Sequence, residues 1–235
     1  MPVALVTGAS RGLGLALARA LAIRSWTLVL DARRAGDLDR AARELRELGP
    51  ADVIAVAGDV ADPAHRRELR DVVGESGRLD LLVNNASALG PSPMPRLADY
   101  PEAELARVYE VNVFAPLALT RLTLPVLLDT GRGVVLNISS DAAVDAYPGW
   151  GGYGSSKAAL DQATATLAAE QPGLDVYAFD PGEMNTELHQ QAFPGEDISD
   201  RPDAETVVPA LLRLLDERPA SGRYTVAQLA PAVTS

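Results

Sequence analysis

The 235-residue sequence contains no cysteine, and this absence removes whole classes of function. A disulfide scaffold, a zinc-thiolate site, an iron–sulfur cluster and a thiol nucleophile all require cysteine sulfur. A chain of this length buries roughly 70% of its unfolded surface, so it needs neither disulfides nor a structural metal for stability. We therefore expect one large domain over residues 1–235 and no metal site.

Basic residues are few: 21 lysines and arginines stand against 32 acidic residues, and the formal net charge is −11. A surface of that sign repels nucleic acids and anionic lipids. The first residues contain neither a basic region nor a cleavage site. The longest helix-like apolar stretch, Leu13–Ile23, is interrupted by Arg19 and is shorter than a bilayer requires. We expect a soluble cytoplasmic protein that binds neither nucleic acid nor membrane.

Short β-rich runs alternate with helix-patterned segments along the chain. The runs are continuously apolar, as expected for strands buried on both faces of a parallel sheet. They are Val3–Val6, Thr27–Leu30, Asp52–Ala57, Leu79–Val83, Gly133–Ile138, Asp175–Phe179 and Arg223–Val226. The helical segments lie near Leu13–Arg24, Asp37–Leu48, Pro63–Val73, Pro101–Leu128, Ser155–Glu170 and Pro202–Leu215. This alternation predicts a single Rossmann-type, doubly wound α/β domain with about seven mainly parallel strands and helices on both faces.

Two segments interrupt the alternation. Residues 87–95 contain three prolines, and residues 184–203 form a long insertion before the last helix. Long loops in compact domains often carry function, and a doubly wound sheet binds its ligands at the carboxyl ends of its strands. We therefore predict that residues 184–203 form a lid over a substrate.

A glycine-rich loop with the sequence TGASRGLG, residues 7–14, joins the first strand to the first helix. Glycine permits a tight turn and a close approach of the backbone to a pyrophosphate, which the N–H groups of the helix N-terminus bind. The spacing G-x-x-x-G-x-G differs from the general dinucleotide fingerprint. A simple strand–helix turn is the alternative interpretation.

TGASRGLG resembles the cofactor motif of the short-chain dehydrogenase/reductase family. The resemblance covers essentially the whole chain, in the family's order and at its usual intervals. It continues through Asn84-Asn85-Ala86, Asn112, Ser139-Ser140, Tyr153-x-x-x-Lys157 and Pro181-Gly182-x-x-x-Thr186. Ser87 stands where the family has glycine, so the turn there is expected to differ.

The glycine loop and the resemblance together give a set of cofactor-binding residues. The set is Gly8, Ser10, Arg11, Gly12, Leu13, Gly14, Asp31, Arg33, Asp59, Val60, Asn85, Ala86, Tyr153, Lys157, Pro181, Gly182 and Thr186. Two of these residues have an alternative interpretation. Asp59, implied to contact adenine, is also an ordinary turn residue, and Thr186, implied to hold the carboxamide, is also a helix N-cap.

Basic residues favour NADP(H). By the resemblance, the position that is acidic in NAD-preferring members falls on Ala32, while Arg33 follows it and Arg11 lies in the glycine loop. Two charge-assisted hydrogen bonds to a 2′-phosphate would favour NADP(H) by about two to four decades in affinity. If the strand ended one residue earlier, Asp31 would read the ribose of NAD(H) instead. We expect NADP(H), with NAD(H) as the alternative.

Tyr153 and Lys157 are four residues apart at the start of a predicted helix, so their side chains share one face. An ammonium about 4 Å from the phenolate, at an effective dielectric of about 20, would stabilise it by about 4 kcal/mol. That energy is equivalent to roughly three pKa units. We therefore expect the pKa of Tyr153 to lie near neutrality, as an acid–base catalyst requires. A packing tyrosine beside a solvated lysine is the alternative.

Ser140 lies thirteen residues before Tyr153, where its hydroxyl would hold a substrate carbonyl oxygen; Ser139 is the alternative. The resemblance adds Asn112, which would hold the helix backbone and a water that links Lys157 to solvent. The predicted catalytic residues are Asn112, Ser140, Tyr153 and Lys157. The candidate substrate-pocket residues are Tyr147, Trp150, Met184, Leu188 and Phe193.

The C-terminal half carries Gly149-Trp150, Glu170-Gln171-Pro172, Leu188-His189-Gln190 and Ser221-Gly222. On these residues it resembles most the sepiapterin reductase branch of the family. That branch reduces a side-chain ketone on a pterin and holds the pterin with an acidic residue near the C-terminus. The corresponding position in this chain is Leu229. We therefore predict an NADP(H)-dependent reductase of a ketone or aldehyde, without assigning the pterin.

Two other functions stay open. One is an NAD-dependent alcohol dehydrogenase of the same family. The other is a non-catalytic regulator that senses a dinucleotide, although such regulators usually lack the tyrosine or the lysine. Family members commonly associate through the helices predicted at 101–128 and 155–170, so a homodimer or homotetramer is expected.

Overall fold

The apolar runs form one sheet in which each strand is parallel to its neighbours. The computed structural model describes residues 1–49 and 52–230. The strands are β1 (Val3–Val6), β2 (Thr27–Ala32), β3 (Val53–Ala57), β4 (Leu81–Asn84), β5 (Val134–Ile138), β6 (Asp175–Asp180) and β7 (Gly222–Thr225). Their order in the sheet is β3-β2-β1-β4-β5-β6-β7. Because the chain reverses direction across the sheet at β1 and β4, a ligand crevice is expected there.

Helices cover both faces of the sheet. They are α1 (Gly12–Ile23), α2 (Ala35–Leu48), α3 (Pro63–Ser76), α4 (Glu102–Tyr109), α5 (Ala115–Asp129), α6 (Gly151–Glu170), α7 (Glu187–Ala192) and α8 (Val208–Glu217). Apolar side chains of α1, α2 and α8 pack on one face, and those of α3, α5 and α6 pack on the other. The predicted doubly wound α/β fold is confirmed.

The sequences of β1, β4 and β5 are largely apolar without alternation because each of these strands supplies two cores. In β1, Ala4 and Val6 belong to the core under α1, whereas Val3 and Leu5 belong to the core on the opposite face. Successive residues of a strand point to opposite faces of a sheet. Both sets of positions are therefore buried, and both must be apolar.

The helix predicted over Pro101–Leu128 is divided in the structure. A five-residue π-helical stretch, Glu110–Phe114, separates α4 from α5 and carries Asn112. Such stretches occur frequently at functional sites. Helix α6 begins at Gly151, earlier than the predicted start at Ser155, and the short helix considered as the alternative role of Thr186 is present as α7.

The helical run Glu102–Asp129 is long and apolar enough to cross a membrane, by length and composition only. Half of its most apolar 18-residue window is buried inside the protein, a property that core helices of soluble proteins share. The expectation that Leu13–Ile23 is the longest apolar helical stretch is therefore wrong. Within this run, Leu119 and Leu127 of α5 pack into the core between the helices and the sheet.

Candidate active site

The loop between β1 and α1 depends on three glycines. Gly8 and Gly12 have φ values of 65° and 54°, which side chains rarely permit. A Cβ atom on Gly14 would lie 2.6 Å from the carbonyl oxygen of Gly8. The Nδ2 atom of Asn85 donates hydrogen bonds to the carbonyl oxygens of Thr7 (2.9 Å) and Gly8 (3.2 Å). The loop is thus held compactly at the N-terminus of α1, an arrangement that binds pyrophosphate.

A cavity of about 780 Å³ lies at the carboxyl ends of β1 to β6, and its volume is typical of a cofactor or substrate site. Most of the predicted site residues line it. They are Gly8, Ser10, Arg11, Gly12, Leu13, Asp31, Arg33, Asp59, Val60, Asn85, Ala86, Ser140, Tyr147, Trp150, Tyr153, Lys157, Pro181, Gly182, Met184, Thr186, Leu188 and Phe193. The predicted residues outside this lining are Gly14, which packs closely against Gly8 and Asn85, and Asn112, which hydrogen-bonds with Ser87 and Ala88.

Asp31, next to last in β2, is paired with a histidine. Asp31 is 1% exposed, and its Oδ1 atom lies 2.6 Å from Nε2 of His65 on α3. Burial raises the pKa of Asp31, and the hydrogen bond with Asp31 raises the pKa of His65. Both shifts favour a proton held between the two side chains. The pair thus presents less negative charge to the cavity than an isolated aspartate would.

Three arginines, Arg11, Arg33 and Arg34, gather at the same end of the cavity. Burial lowers the pKa of Arg11, and the neighbouring charges of Arg34 and Arg33 lower it further. Glu187, the first residue of α7, forms ion pairs with Arg11 and, at 3.4 Å, with Arg34. Arg34 was missed in the sequence, although the arginine pair at the end of β2 was a visible signal for it. The cluster suits a doubly charged phosphate better than a hydroxyl group.

Asp59 and Thr186 have the structural roles considered for them, and both also line the cavity. The Oδ1 atom of Asp59 accepts a hydrogen bond from the N–H of Ala61 (2.9 Å), as in an ordinary turn. Thr186 is the N-cap of α7, because its hydroxyl accepts a hydrogen bond from the N–H of His189 (3.3 Å). These contacts fix both side chains at the cavity wall.

Helix α6 places Tyr153 and Lys157 on successive turns in the lining of the cavity. The two residues are 7% and 2% exposed. The Nζ atom of Lys157 donates a hydrogen bond to the carbonyl oxygen of Ile138 (2.7 Å), at the end of β5. It lies 5.5 Å from the centre of the Tyr153 ring. The predicted shared face of the helix is therefore present, and both side chains are buried.

Burial dominates the acidity of both groups. It raises the pKa of Tyr153 to about 12, against opposing hydrogen bonds with the hydroxyls of Ser87 and Ser140. It lowers the pKa of Lys157 to about 8. The expectation that the pKa of Tyr153 lies near neutrality is therefore wrong for this structure. The ammonium is bound to the Ile138 carbonyl oxygen and does not compensate for the lost hydration of the phenolate.

The two serines after β5 have different surroundings. The hydroxyl of Ser140 donates a hydrogen bond to Oδ1 of Asp141 (2.9 Å), and it lies near enough to Tyr153 to oppose the burial that raises the pKa of that phenol. The hydroxyl of Ser139 lies beside Asp161 of α6 and opposes the burial that raises the pKa of that carboxyl. Of the two, Ser140 is therefore the serine that acts on Tyr153.

Asn112 connects the segment after β4 to α6. Its Oδ1 atom accepts hydrogen bonds from the N–H of Ala88 (2.8 Å) and the hydroxyl of Ser87 (3.2 Å). Its Nδ2 atom donates to the carbonyl oxygen of Ala88 (2.9 Å) and the hydroxyl of Ser156 (2.9 Å). Ser87 does not have a positive φ value, so serine is accommodated where the family has glycine.

Replacing Asn112 with alanine is expected to lower the free energy of unfolding by about 2–3 kcal/mol. The substitution removes four hydrogen bonds and leaves buried polar groups without partners. Urea unfolding followed by circular dichroism measures the change. Gln162→Ala, at an exposed position of α6, is the control and should change stability by less than about 0.5 kcal/mol. Equal effects of the two variants would contradict the role given to Asn112.

An aromatic wall stands beside Tyr153. The ring of Trp150 lies 5.8 Å from that of Tyr153, 6.1 Å from Phe193 and 6.4 Å from Tyr147, measured between centroids. Phe193 follows α7, within the segment predicted as a lid. Leu229, at the position where a pterin-binding carboxylate was considered, is 6% exposed and packs in the core. The wall therefore offers an apolar surface to a substrate.

The fold and the site together place a serine, a tyrosine and a lysine, Ser140, Tyr153 and Lys157, beside a glycine-rich loop in one cavity at the carboxyl ends of a parallel sheet. A sequence model described as short chain dehydrogenase matches residues 2–197. The chain belongs to the short chain dehydrogenase family, as the motifs predicted.

The match to this chain covers a different share of each named relative. The 11-beta-hydroxysteroid dehydrogenase A of Sesamum indicum is 34% identical over 203 residues, which are 85% of this chain and 58% of that protein. The chain thus spans little more than half of that relative. Sepiapterin reductase of Meriones unguiculatus is 35% identical over 201 residues, which are 81% of this chain and 77% of that protein.

Solved structures of relatives contain phosphorylated cofactors. An alcohol dehydrogenase from the archaeon Thermococcus sibiricus, complexed with 5-hydroxy-NADP, has a TM-score of 0.86 and 30% identity over 96% of this chain and 95% of that chain. A short-chain dehydrogenase from Sphingobium yanoikuyae, in complex with NADPH, has a TM-score of 0.85 and 26% identity over 100% of this chain and 89% of that chain.

Proposed function

We propose that the protein is an NADP(H)-dependent reductase that converts a ketone or an aldehyde into an alcohol. The observation that carries this proposal is a single cavity with Ser140, Tyr153 and Lys157 at one end and an arginine cluster at the other. The NADP derivatives bound to two structural relatives support the cofactor assignment.

The residues of the chain fit such a cofactor. The glycine loop would hold the pyrophosphate, because its glycines permit the compact turn that brings the N-terminus of α1 to the cavity. Arg11, Arg33 and Arg34 would hold the 2′-phosphate, and the Asp31–His65 pair reduces the repulsion that an ionised aspartate would cause. When bound, the nicotinamide supplies a hydride to the carbonyl carbon.

Tyr153 is the proton donor in this proposal. Because its pKa is about 12, the phenol is protonated at neutral pH and holds the proton that the reduced carbonyl oxygen needs. The hydroxyl of Ser140, which donates to Asp141 in this structure, would turn its proton to the same oxygen as negative charge develops there. Lys157, whose pKa is about 8, is largely cationic at neutral pH and stabilises the phenolate that remains.

The substrate is proposed to be an apolar or aromatic carbonyl compound. The side chains of Trp150 and Phe193 provide a flat apolar wall beside Tyr153, and Met184 and Leu188 line the same part of the cavity. The core position of Leu229 leaves no carboxylate at the place where the sepiapterin reductase branch binds its pterin.

The central experiment follows oxidation of NADPH, and separately of NADH, with a panel of ketones, diketones, aldehydes, quinones and sepiapterin. Faster turnover with NADPH supports the proposal, and the preferred compound identifies the substrate class. Faster turnover with NADH would instead favour an NAD-dependent dehydrogenase in which Asp31 reads the ribose. Cofactor binding without turnover of any compound would favour the dinucleotide-sensing regulator.

Replacing Glu187 with glutamine is expected to strengthen NADPH binding about threefold and to leave NADH binding unchanged. Glu187 pairs with Arg11 and Arg34, so it competes with a 2′-phosphate for both arginines. The effect is small because these side chains are 41–63% exposed and solvent screens them. Titration calorimetry at low salt measures both affinities. Glu205→Gln, which breaks the ion pair with Arg19, is the control. An equal gain for NADH would contradict this assignment.

We further propose a cytoplasmic homo-oligomer. Phe114, Leu117 and Leu128 along the helical run Glu102–Asp129 are 53%, 39% and 38% exposed. Apolar side chains of this size on one exposed helical region favour burial against a second copy of the chain.

A further inference from the structure

Arg223 on β7 contacts three elements that surround the catalytic end of the cavity. Its Nε atom donates a hydrogen bond to Oδ2 of Asp161 (3.0 Å). Its Nη2 atom donates to the carbonyl oxygen of Ser140 (3.0 Å) and to Oδ2 of Asp180 (2.9 Å). The side chains of Arg223, Asp161 and Asp180 are 27%, 15% and 8% exposed. One planar guanidinium therefore joins two largely buried carboxylates and a backbone carbonyl.

Each partner of this guanidinium belongs to a part of the site. Asp161 lies four residues after Lys157 on α6, and Ser140 is the proposed carbonyl-binding serine. Asp180 ends β6, and its Oδ1 atom accepts a hydrogen bond from the N–H of Gly182 (2.9 Å) in the cavity wall. The guanidinium thus fixes the serine, the catalytic helix and the segment after β6 relative to one another.

The charge of Lys157 depends on the same group of residues. Burial lowers the pKa of Lys157, and Asp161 opposes this shift. The carboxylate of Asp161 is shared, because it also accepts a hydrogen bond from Arg223. The positive charge of Arg223 therefore partly offsets the electrostatic effect of the Asp161 carboxylate on Lys157.

We propose that Arg223 and Asp161 are positioning residues for the reduction. Asp161 keeps Lys157 cationic in its buried site, and Arg223 moderates this effect while it holds the backbone of Ser140. Neither residue touches the substrate; both act through Lys157 and Ser140. This inference rests on the proposed function, in which Lys157 is the cation and Ser140 the hydrogen-bond donor.

Four charged groups surround the pair of Tyr153 and Lys157. They are Asp161 on α6, Asp141 after β5, Asp180 on β6 and Arg223 on β7. Removing the charge of Asp161 or of Arg223 leaves the other three in place. The two substitutions therefore change the field at Lys157 with opposite signs.

Lys157 is the only lysine in the sequence, so its pKa is directly measurable. Protein grown with lysine carrying ¹³C at the ε-carbon gives one such NMR signal, and its shift is followed against pH. Asp161→Asn is expected to lower the pKa of Lys157 by about 1 unit, and Arg223→Gln to raise it by a similar amount. The double variant should lie near the wild-type value. If Arg223 and Asp161 served only to link β7 to α6, the two substitutions would not shift the pKa of Lys157 in opposite directions.

Kinetics with the carbonyl compound that the wild type reduces best give a second readout. Arg223→Gln is expected to lower kcat about tenfold with little change in KM, because the serine and the catalytic helix are less well aligned. The alkaline limb of the kcat profile should move with the pKa of Lys157, to lower pH in Asp161→Asn and to higher pH in Arg223→Gln.

Arg218→Gln is a matched control. The side chain of Arg218 also donates hydrogen bonds to a carboxylate, that of Asp175 (2.6 Å), and to a carbonyl oxygen, that of Arg132 (2.7 Å). These contacts lie at the start of β6, away from the cavity. The Arg218→Gln substitution should leave the pKa of Lys157 and kcat unchanged. Thermal unfolding of each variant identifies loss of the fold, and the isosteric Asp161→Asn keeps the test decisive if Arg223→Gln is unstable.

Shifts of the same sign in both variants, no shift in either, or equal effects in Arg218→Gln would overturn the inference. A wild type that reduces no carbonyl compound would count against the proposed function instead. The NMR titration needs neither cofactor nor substrate, so it decides the influence of Asp161 and Arg223 on Lys157 in that case too.

Discussion

Replacing Tyr153 with phenylalanine should lower kcat about 10³-fold while the affinity for NADPH stays within a few-fold of wild type. The substitution removes one oxygen atom and the proton that the carbonyl oxygen requires, and general acid catalysis contributes about 10²–10⁴-fold to enzymatic rates. The buried ring keeps its packing against Trp150, so the fold should be preserved. Steady-state kinetics and fluorescence titration with NADPH measure the two quantities.

A matched substitution controls for loss of a tyrosine hydroxyl elsewhere. Tyr109→Phe, on α4, removes the same atom outside the cavity lining and should leave kcat within about twofold of wild type. Residual activity in Tyr153→Phe above a tenth of the wild-type value would show that another group supplies the proton. The assignment of Tyr153 as donor would then be wrong.

The double variant Ala32→Asp/Arg33→Asn should change the preference for NADPH over NADH about 10³-fold, measured as the ratio of kcat/KM values. Asparagine removes a charge-assisted hydrogen bond to the 2′-phosphate, and an aspartate at the end of β2 both repels the phosphate and accepts a hydrogen bond from a 2′-hydroxyl. Ala32 lines the cavity beside the unreplaced Asp31, whose carboxylate is paired with His65.

Each single variant is expected to account for about 10–100-fold of this change. Arg121→Asn, an exposed arginine on α5 outside the cavity lining, controls for net charge and should not alter the ratio. If the double variant keeps the wild-type ratio, the arginine cluster does not select the cofactor. The preference would then have to come from other residues of the cavity.

Much of the fold followed from the sequence because local pattern and burial agree. The apolar run Val3–Val6 is a strand with the same bounds in the structure, since both of its faces are covered. The spacing of Tyr153 and Lys157 indicated a shared helical face, and α6 provides it. Both inferences needed only the period of a strand or of a helix.

The remaining features depend on contacts between distant parts of the chain. The sequence around Asp31 does not indicate that its carboxylate forms a hydrogen bond with His65, 34 residues later. Arg223 meets partners that precede it by 43 to 83 residues. The pKa of Tyr153 was mispredicted for the same reason, because spacing shows where an ammonium stands but not how much water the fold removes.

The strand order also determines how the protein can change. Ala32 ends β2 and Ser140 follows β5, and β1 and β4 lie between these two strands, a separation of roughly 14 Å. Substitutions that far apart usually have additive effects. Selection or engineering can therefore change the cofactor preference at one end of the cavity and the substrate preference at the other in independent steps. A variant that prefers NADH should retain the substrate range and the Tyr153 dependence of its parent.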